Sequence, residues 1–195
     1  MGMDYDHAEV TNLEALNRLA PDRGWKVRGD GASRYYLPEM ADIDAIWRAN
    51  AGTGIPYRNS MTARLLQRYL TIVMLHECVP GPGGSRRYRT RIMGGETAEE
   101  VGEGSGRFYD EFLPAAALPM WNAMSDATLA HGGPVRFILG GRKLDSTVVA
   151  GEIFSGPLLT DDGRADLILS AGRFNAAWQW DAILSHWQED VAVPA

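Results

Sequence analysis

The middle of the chain changes its hydrophobic period from that of a strand to that of a helix and back again. Residues 70–79 are rich in apolar and β-branched side chains and run into a Pro-Gly-Pro-Gly-Gly turn. Residues 86–93 then alternate strictly, with Arg87, Arg89 and Arg91 on one face and a second set on the other: Tyr88, Thr90 and Ile92. Two such segments joined by a turn predict a β-hairpin whose inner face carries the second set.

Helical segments follow this hairpin, and strand-like segments follow the helices. Short helices are predicted at 97–103 and 108–113, and a longer one at 115–130. The last three segments have strand character, at 135–143, 148–159 and 165–174. This order predicts an α+β fold in which a sheet carries its helices on one face.

The flanking regions carry apolar stripes of their own. Residues 4–20 present Leu13, Leu16 and Leu19 at helical spacing, and a C-terminal helix presents Trp180, Leu184 and Trp187. Between the first helix and a helix at 40–50, residues 21–37 show little periodicity and are interpreted as a linker. We therefore divide the chain into an N-terminal helix and linker (1–38), a central domain with its leading helices (39–175) and a C-terminal helix and tail (176–195). Because both stripes need burial, a homodimer is expected.

Composition excludes several classes of protein. A chain of 195 residues that is 45% hydrophobic can fold without disulfides or metals, and its single cysteine, Cys78, favours a reducing compartment. The formal charge of −6 argues against a nucleic-acid partner. The acidic N-terminus is unlike a signal peptide, and no apolar run is long enough for a membrane span. We expect a cytoplasmic protein with neither membrane nor nucleic-acid partners.

The order of elements resembles the PAS sensor fold. Short motifs carry the resemblance: Arg87-Tyr88-Arg89 before Gly94, Gly102-Glu103 and Gly106-Arg107 before Phe112-Leu113-Pro114, and Gly156-Pro157-Leu158 before Asp162-Gly163. Over roughly residues 39–175 the chain is similar to a small bacterial PAS-type family whose members are mostly a lone domain. The resemblance implies a five-stranded antiparallel sheet with helices on one face, enclosing a cavity that holds a small molecule in many relatives. It also implies sensing or dimerisation rather than catalysis, and it does not imply which ligand or cofactor is bound.

The reactive residue types do not form a recognisable catalytic or metal site. His131 ends the long predicted helix, where a histidine commonly caps the last carbonyls, and His76 alternates with Cys78 in the first strand. Photoreceptor relatives place a reactive cysteine in an Asn-Cys-Arg-Phe-Leu-Gln string, which this chain lacks, so Cys78 is interpreted as a buried inert thiol. We predict no catalytic residue and no metal ligand.

Aromatic and sulfur-containing side chains on the predicted inner faces form the candidate ligand pocket. They are Tyr88, Phe112, Trp121, Met124, Phe137 and Phe154. A packed core uses the same residue types, so a pocket and a filled interior both remain open. Tyr88 and Trp121 favour a pocket because each carries a polar group that needs a partner when it is buried. The pocket would take an apolar or aromatic molecule with one polar anchor.

The leading hypothesis is a PAS-like sensory or regulatory domain without catalytic output, which binds a small molecule or a signalling protein. Two alternatives come from other classes: a small cone-shaped α+β protein with an enzymatic pocket, and a purely structural dimerisation module. The position of the long helix between the second and third strands favours the PAS-like interpretation.

Overall fold

A computed structural model describes residues 6–7, 10–31, 34–142 and 148–175. The five helices of this part of the chain are α1 (Leu13–Asp22), α2 (Pro38–Ala51), α3 (Gly95–Val101), α4 (Tyr109–Phe112) and α5 (Leu118–His131). The six strands are β1 (Val27–Asp30), β2 (Val73–Pro80), β3 (Arg86–Met93), β4 (Val135–Arg142), β5 (Val148–Leu158) and β6 (Leu167–Asn175). No helix in these ranges is both long and apolar enough to cross a membrane.

All six strands form one antiparallel sheet in the order β1-β4-β5-β6-β2-β3. The five strands predicted from periodicity are β2 to β6, and the first and last of them lie side by side in the centre. The long helix α5 falls between β3 and β4, as its period predicts. The predicted PAS-like α+β class is confirmed.

A strand that the sequence does not reveal, β1, extends the sheet at one edge. Residues 27–30, interpreted above as part of a linker, pair with β4 in the register Val27↔Leu139. Four residues are too few to show a period. One side chain satisfies the backbone of Gly29 in this strand, because Asn17 Nδ2 donates to Gly29 O at 2.7 Å and Gly29 N donates to Asn17 Oδ1 at 2.9 Å.

Helices cover both faces of the sheet, so the prediction that they lie on one face is wrong. One core forms between the sheet and α1, α4 and α5, and it contains Phe137, Ile153 and Ile168. The other forms under α2 and contains Phe154 and Leu169. Alternate residues of β5 and β6 enter opposite cores, and both faces of these central strands are apolar. A sheet of this kind needs cover on each side.

The N-terminal apolar stripe is buried within the chain itself. Leu16 is fully buried in the core shared with α5, and Leu13 and Leu19 pack against that core. The stripe therefore does not require a second copy, which removes half of the argument for a homodimer. The other half, Trp180, Leu184 and Trp187, lies outside the described residues.

The alternation of β3 breaks near its end, so the prediction that Ile92 faces inward is wrong. The register to β2 runs Thr90↔His76 and then Ile92↔Leu75, which leaves Arg91 as the extra residue of a bulge. Tyr88 and Thr90 point into the core as predicted, but Ile92 emerges on the other face, 49% exposed. Met93 turns inward in its place.

This bulge gives a testable pair of substitutions. We expect Ile92→Asp to lower the free energy of unfolding by about 1 kcal/mol or less, because the new charge stays in water. Met93→Asp should cost several kcal/mol, since it places an unpaired carboxylate in the core. Urea denaturation of both variants measures the difference; equal losses would contradict the bulged register.

Candidate functional site

The structure brings five of the six predicted pocket residues together and separates the sixth. Tyr88, Trp121, Met124 and Phe137 are buried in the core beneath α5, and Phe112 is half-buried against that core. Phe154 lies in the opposite core with α2. It cannot share a cavity with the other five, because its neighbour Ile153 occupies the α5 face and successive strand residues alternate between faces.

Aromatic rings pack around Tyr109 in this core. The Tyr88 ring stacks on it at 5.6 Å, and the rings of His76, Phe112 and Trp121 meet its edge or face at 5.2, 6.2 and 6.4 Å. These centroid distances are those of direct aromatic contact. The space among the rings is therefore filled by side chains, and the site must be sought where this cluster reaches the surface.

A fully buried carboxylate, Asp126 of α5, lies at the border of the ring cluster. Its Oδ1 accepts from the Tyr88 hydroxyl at 2.6 Å and from Arg86 Nη1 at 3.0 Å, and its Oδ2 lies 2.7 Å from His7 Nδ1. Burial and the adjacent Asp126 charge raise the pKa of Tyr88 far above its usual value. The tyrosine is thus a neutral donor at any physiological pH, fixed toward the carboxylate.

An open cleft of about 260 Å³ lies directly above Tyr88 and Tyr109. We call it the Tyr88 cleft. The N-terminal part of β3 contributes one wall, and α4 with the first turns of α5 contributes the other. Its lining residues include Arg86, Arg87, Tyr88, Tyr109, Leu118 and Asn122. The cleft lies above the aromatic cluster, and Arg86 connects it to the buried Asp126.

Arg87 lies at the rim of the cleft and contacts Phe108 and Asp110 there. Its Nε and Nη2 donate to the Asp110 carboxylate at 2.9 to 3.2 Å, and its guanidinium lies 3.7 Å from the centroid of the Phe108 ring. These contacts tie the start of α4 to β3. The sequence predicts Arg87 on the outer face of the hairpin; in the structure its side chain contacts α4 and lines the cleft at the edge of the sheet, where β3 is the last strand.

His76 is a further titratable group of the cluster. It is buried, its Nδ1 lies 3.2 Å from Thr90 Oγ1, and burial lowers its pKa to about 3. Its ring stays neutral and packs edge-on against Tyr109. Among the described residues, no carboxylate contacts its ring. His76 therefore acts as a packed core residue.

The depressed pKa of His76 predicts acid sensitivity. The unfolded state takes up a proton near pH 6.5 that the folded state excludes, so the stabilising contribution is present above pH 6.5 and is lost as the pH falls toward 3. Between pH 7 and pH 5 the free energy of unfolding should fall by about 2 kcal/mol more in the wild type than in His76→Gln. Denaturant titrations at the two pH values measure this; the same pH dependence in both proteins would contradict the assignment.

Cys78 packs against the core beneath α5. Burial raises the pKa of the half-buried Cys78 thiol, which keeps it protonated and unreactive. Within the described ranges no group of three His, Cys, Asp or Glu side chains could hold a metal ion.

A second buried ion pair lies on the α2 face. Arg136, 2% exposed, donates to Asp30 at 2.8 Å, and Glu152 accepts the backbone N–H groups of Tyr36 and Leu37 at 2.9 and 2.8 Å. Burial, the largest influence, raises the pKa of Glu152. These contacts fasten the residues that lead into α2, and we assign this group a structural role.

Sequence reasoning missed the residues that give the site its polarity: His7, Arg86, Tyr109 and Asp126. One signal was present, because Asp126 is the only Asp, Glu, Lys or Arg between residues 112 and 135. A lone carboxylate in the middle of a buried helix needs a partner. Its partners could not be read from the sequence, since they come from β3 and the N-terminal segment.

Three solved structures of Light-Oxygen-Voltage proteins are similar to this chain. One is a Light-Oxygen-Voltage domain studied with a flavin analogue, at 12% identity and a TM-score of 0.46, with 65% of this chain and 93% of that chain covered. Another is an RNA-binding Light-Oxygen-Voltage receptor, at 13% identity and a TM-score of 0.44, with 90% and 48% covered, so this chain spans about half of its length. The third is the blue-light photoreceptor Aureochrome1 LOV in its light state, at 11% identity and a TM-score of 0.39, with 66% and 98% covered.

No protein-family model matches the chain, and no curated protein matches it. The structural similarities are too low to carry a functional argument. The PAS-like class rests instead on the sheet order and on the long helix between β3 and β4.

Proposed function

We propose that this protein is a PAS-like sensory or regulatory domain of the small bacterial type whose members are mostly a lone domain. Its signal is a small aromatic molecule that binds in the Tyr88 cleft. The observation that carries the proposal is the buried Asp126, whose hydrogen-bonded partners Tyr88 and Arg86 line an open cleft above a cluster of aromatic rings.

A buried charge of this kind is costly to keep. Removing a carboxylate from water costs several kcal/mol. A buried ion pair seldom stabilises the fold more than apolar residues of similar volume would. Strongly shifted titratable groups beside a cleft are typical of functional sites. The cluster is therefore better accounted for by binding than by stability alone.

The site does not fit a flavin, which the study of one similar structure used in an analogue form. Contacting rings of Tyr88, Tyr109 and Trp121 occupy the space beneath α5, and the cleft above them is about 260 Å³. That volume lies below the roughly 300–1,000 Å³ typical of drug-sized ligands. Cys78 is on β2, and its thiol is held protonated. We propose a ligand with a single ring.

The proposal includes no catalytic output, and the signal passes to a protein partner. A homodimer, a cytoplasmic location and the absence of nucleic-acid binding stay predictions. Light scattering tests the first of these. A mobility-shift assay with single-stranded RNA tests the last, since one similar receptor binds RNA.

A blocking substitution tests the proposed site. Leu118 is half-buried at the border of the core beneath α5 and lines the cleft, so the larger side chain of Leu118→Trp should fill the cleft. Leu65, 44% exposed outside the residues that line the cleft, provides the control Leu65→Trp. Saturation-transfer NMR with one-ring aromatic compounds should show binding to the wild type and the control, and at least a tenfold weaker signal for Leu118→Trp. Unchanged binding to Leu118→Trp would contradict this site.

A further inference from the structure

We propose that the ligand of the Tyr88 cleft is an aromatic monocarboxylate whose anionic group binds to Arg86. This inference rests on the proposed function and specifies its ligand. It follows from the hydrogen-bonding capacity that remains on the charged groups of the cleft, from the walls of the cleft and from its size.

The carboxylates near the cleft already accept hydrogen bonds. Asp126 has partners on both oxygens, namely Tyr88 and Arg86 on Oδ1 and His7 on Oδ2. Asp110 accepts from Arg87 on both oxygens. An incoming cation would therefore have to displace an internal guanidinium or imidazole from its carboxylate.

The guanidinium of Arg86, by contrast, has N–H donors that are not used in the hydrogen bond to Asp126. It carries five N–H groups, and in the described part of the chain one nitrogen, Nη1, donates to Asp126. Its side chain is 49% exposed at the cleft. Asp126 holds the guanidinium in place from behind, so the remaining N–H groups can meet a ligand without a large loss of side-chain entropy. These unused N–H donors of Arg86 favour a ligand that carries hydrogen-bond acceptors.

The walls of the cleft select the rest of the molecule. Leu118 provides an aliphatic surface, and the buried rings of Tyr88 and Tyr109, 0% and 2% exposed, lie beneath the floor of the cleft. A volume of about 260 Å³ suits one ring. A planar carboxylate matches the fork of a guanidinium and forms charge-assisted hydrogen bonds, which are about twice as strong as neutral ones. A ring that carries a carboxylate satisfies both requirements.

Three probes of nearly equal shape and different charge test this inference. Benzoate is an anion, benzamide is neutral and benzamidine is a cation. Calorimetric titration of the full chain at low salt, up to about 10 mM ligand, covers the affinity range of fragments of this size. We expect benzoate to bind at least tenfold more tightly than benzamide, and benzamidine to bind most weakly.

Substitution of Arg86 separates its role from folding. Arg86→Gln should reduce the preference for benzoate over benzamide to about twofold or less, and Arg86→Lys should retain part of the preference. The matched control is Arg89→Gln on the opposite face of β3, where Arg89 pairs with Glu77 at 2.5 Å. The control should keep the full preference. If Arg86→Gln does not fold, the comparison of the three probes on the wild type decides the question alone.

The outcomes distinguish this inference from the function on which it rests. Benzamide or benzamidine binding as tightly as benzoate would overturn the anionic ligand and leave an aromatic site in place. Binding by none of the three would overturn both. A preference for benzoate that survives Arg86→Gln would overturn the role of Arg86.

Discussion

Replacing Asp126 with alanine should lower the free energy of unfolding by about 2–4 kcal/mol. The change leaves the buried Tyr88 hydroxyl without its acceptor at 2.6 Å and removes the carboxylate that pairs with Arg86 at 3.0 Å. Asp126→Asn keeps an acceptor at the same place and should cost about 1 kcal/mol. Urea denaturation of the two variants measures the difference.

Comparing the two losses of stability separates the contribution of the Asp126 charge from that of its hydrogen bond to Tyr88. A loss of equal size in Asp126→Asn would show that the charge, and not the hydrogen bond to Tyr88, dominates the cluster. An Asp126→Ala protein as stable as the wild type would contradict the cluster geometry described here. The matched control is Ser125→Ala, at the neighbouring α5 residue whose hydroxyl lies 3.3 Å from the Tyr109 hydroxyl, and it should cost about 1 kcal/mol.

Replacing Gly94 with alanine should cost about 3 kcal/mol or more. A Cβ at this position would lie 2.4 Å from backbone atoms of Leu70 and Thr71, which cannot move aside as the end of a side chain can. The same backbone segment also accepts the N–H groups of Glu96 and Thr97 through Thr71 O. This close approach fixes the start of α3 against the chain that leads into β2.

The next residue provides the control for Gly94. A Cβ at Gly95 meets nothing within 4 Å, and Gly95 is the first residue of α3. Gly95→Ala should leave stability unchanged or raise it by up to about 1 kcal/mol, because alanine favours the helix. Thermal unfolding of both variants measures the contrast. Similar behaviour would contradict the packing of this turn.

The sequence predicted those parts of the fold that have a clear period. The hairpin of β2 and β3 and the long helix α5 follow from alternation and from helical spacing. The bulge at Arg91 could not be predicted, because nothing in an alternating pattern marks the residue that loses its partner. The strand β1 is too short for a period, and its pairing depends on β4, more than 100 residues away.

The candidate site was predicted in its apolar part and missed in its polar part. Tyr88 and Trp121 are identifiable as large inward-facing residues. The core that contains Phe154 could not be predicted, because the sequence does not show that both faces of β5 are covered. The contacts of Asp126 join α5, β3 and the N-terminal segment. Long-range polar contacts of this kind are a property of the folded chain and leave no local pattern.

The most direct test of the account is an NMR titration of the protein with benzoate, observed at side chains on the two faces of the sheet. Leu118 methyl groups and the Asn122 side-chain amide report on the Tyr88 cleft, and Leu169 methyl groups report on the α2 face. We expect saturable shifts at Leu118 and Asn122 and none at Leu169. No shift at Leu118 up to about 10 mM benzoate, the range in which fragments of this size bind, or a larger shift at Leu169, would contradict binding in the Tyr88 cleft.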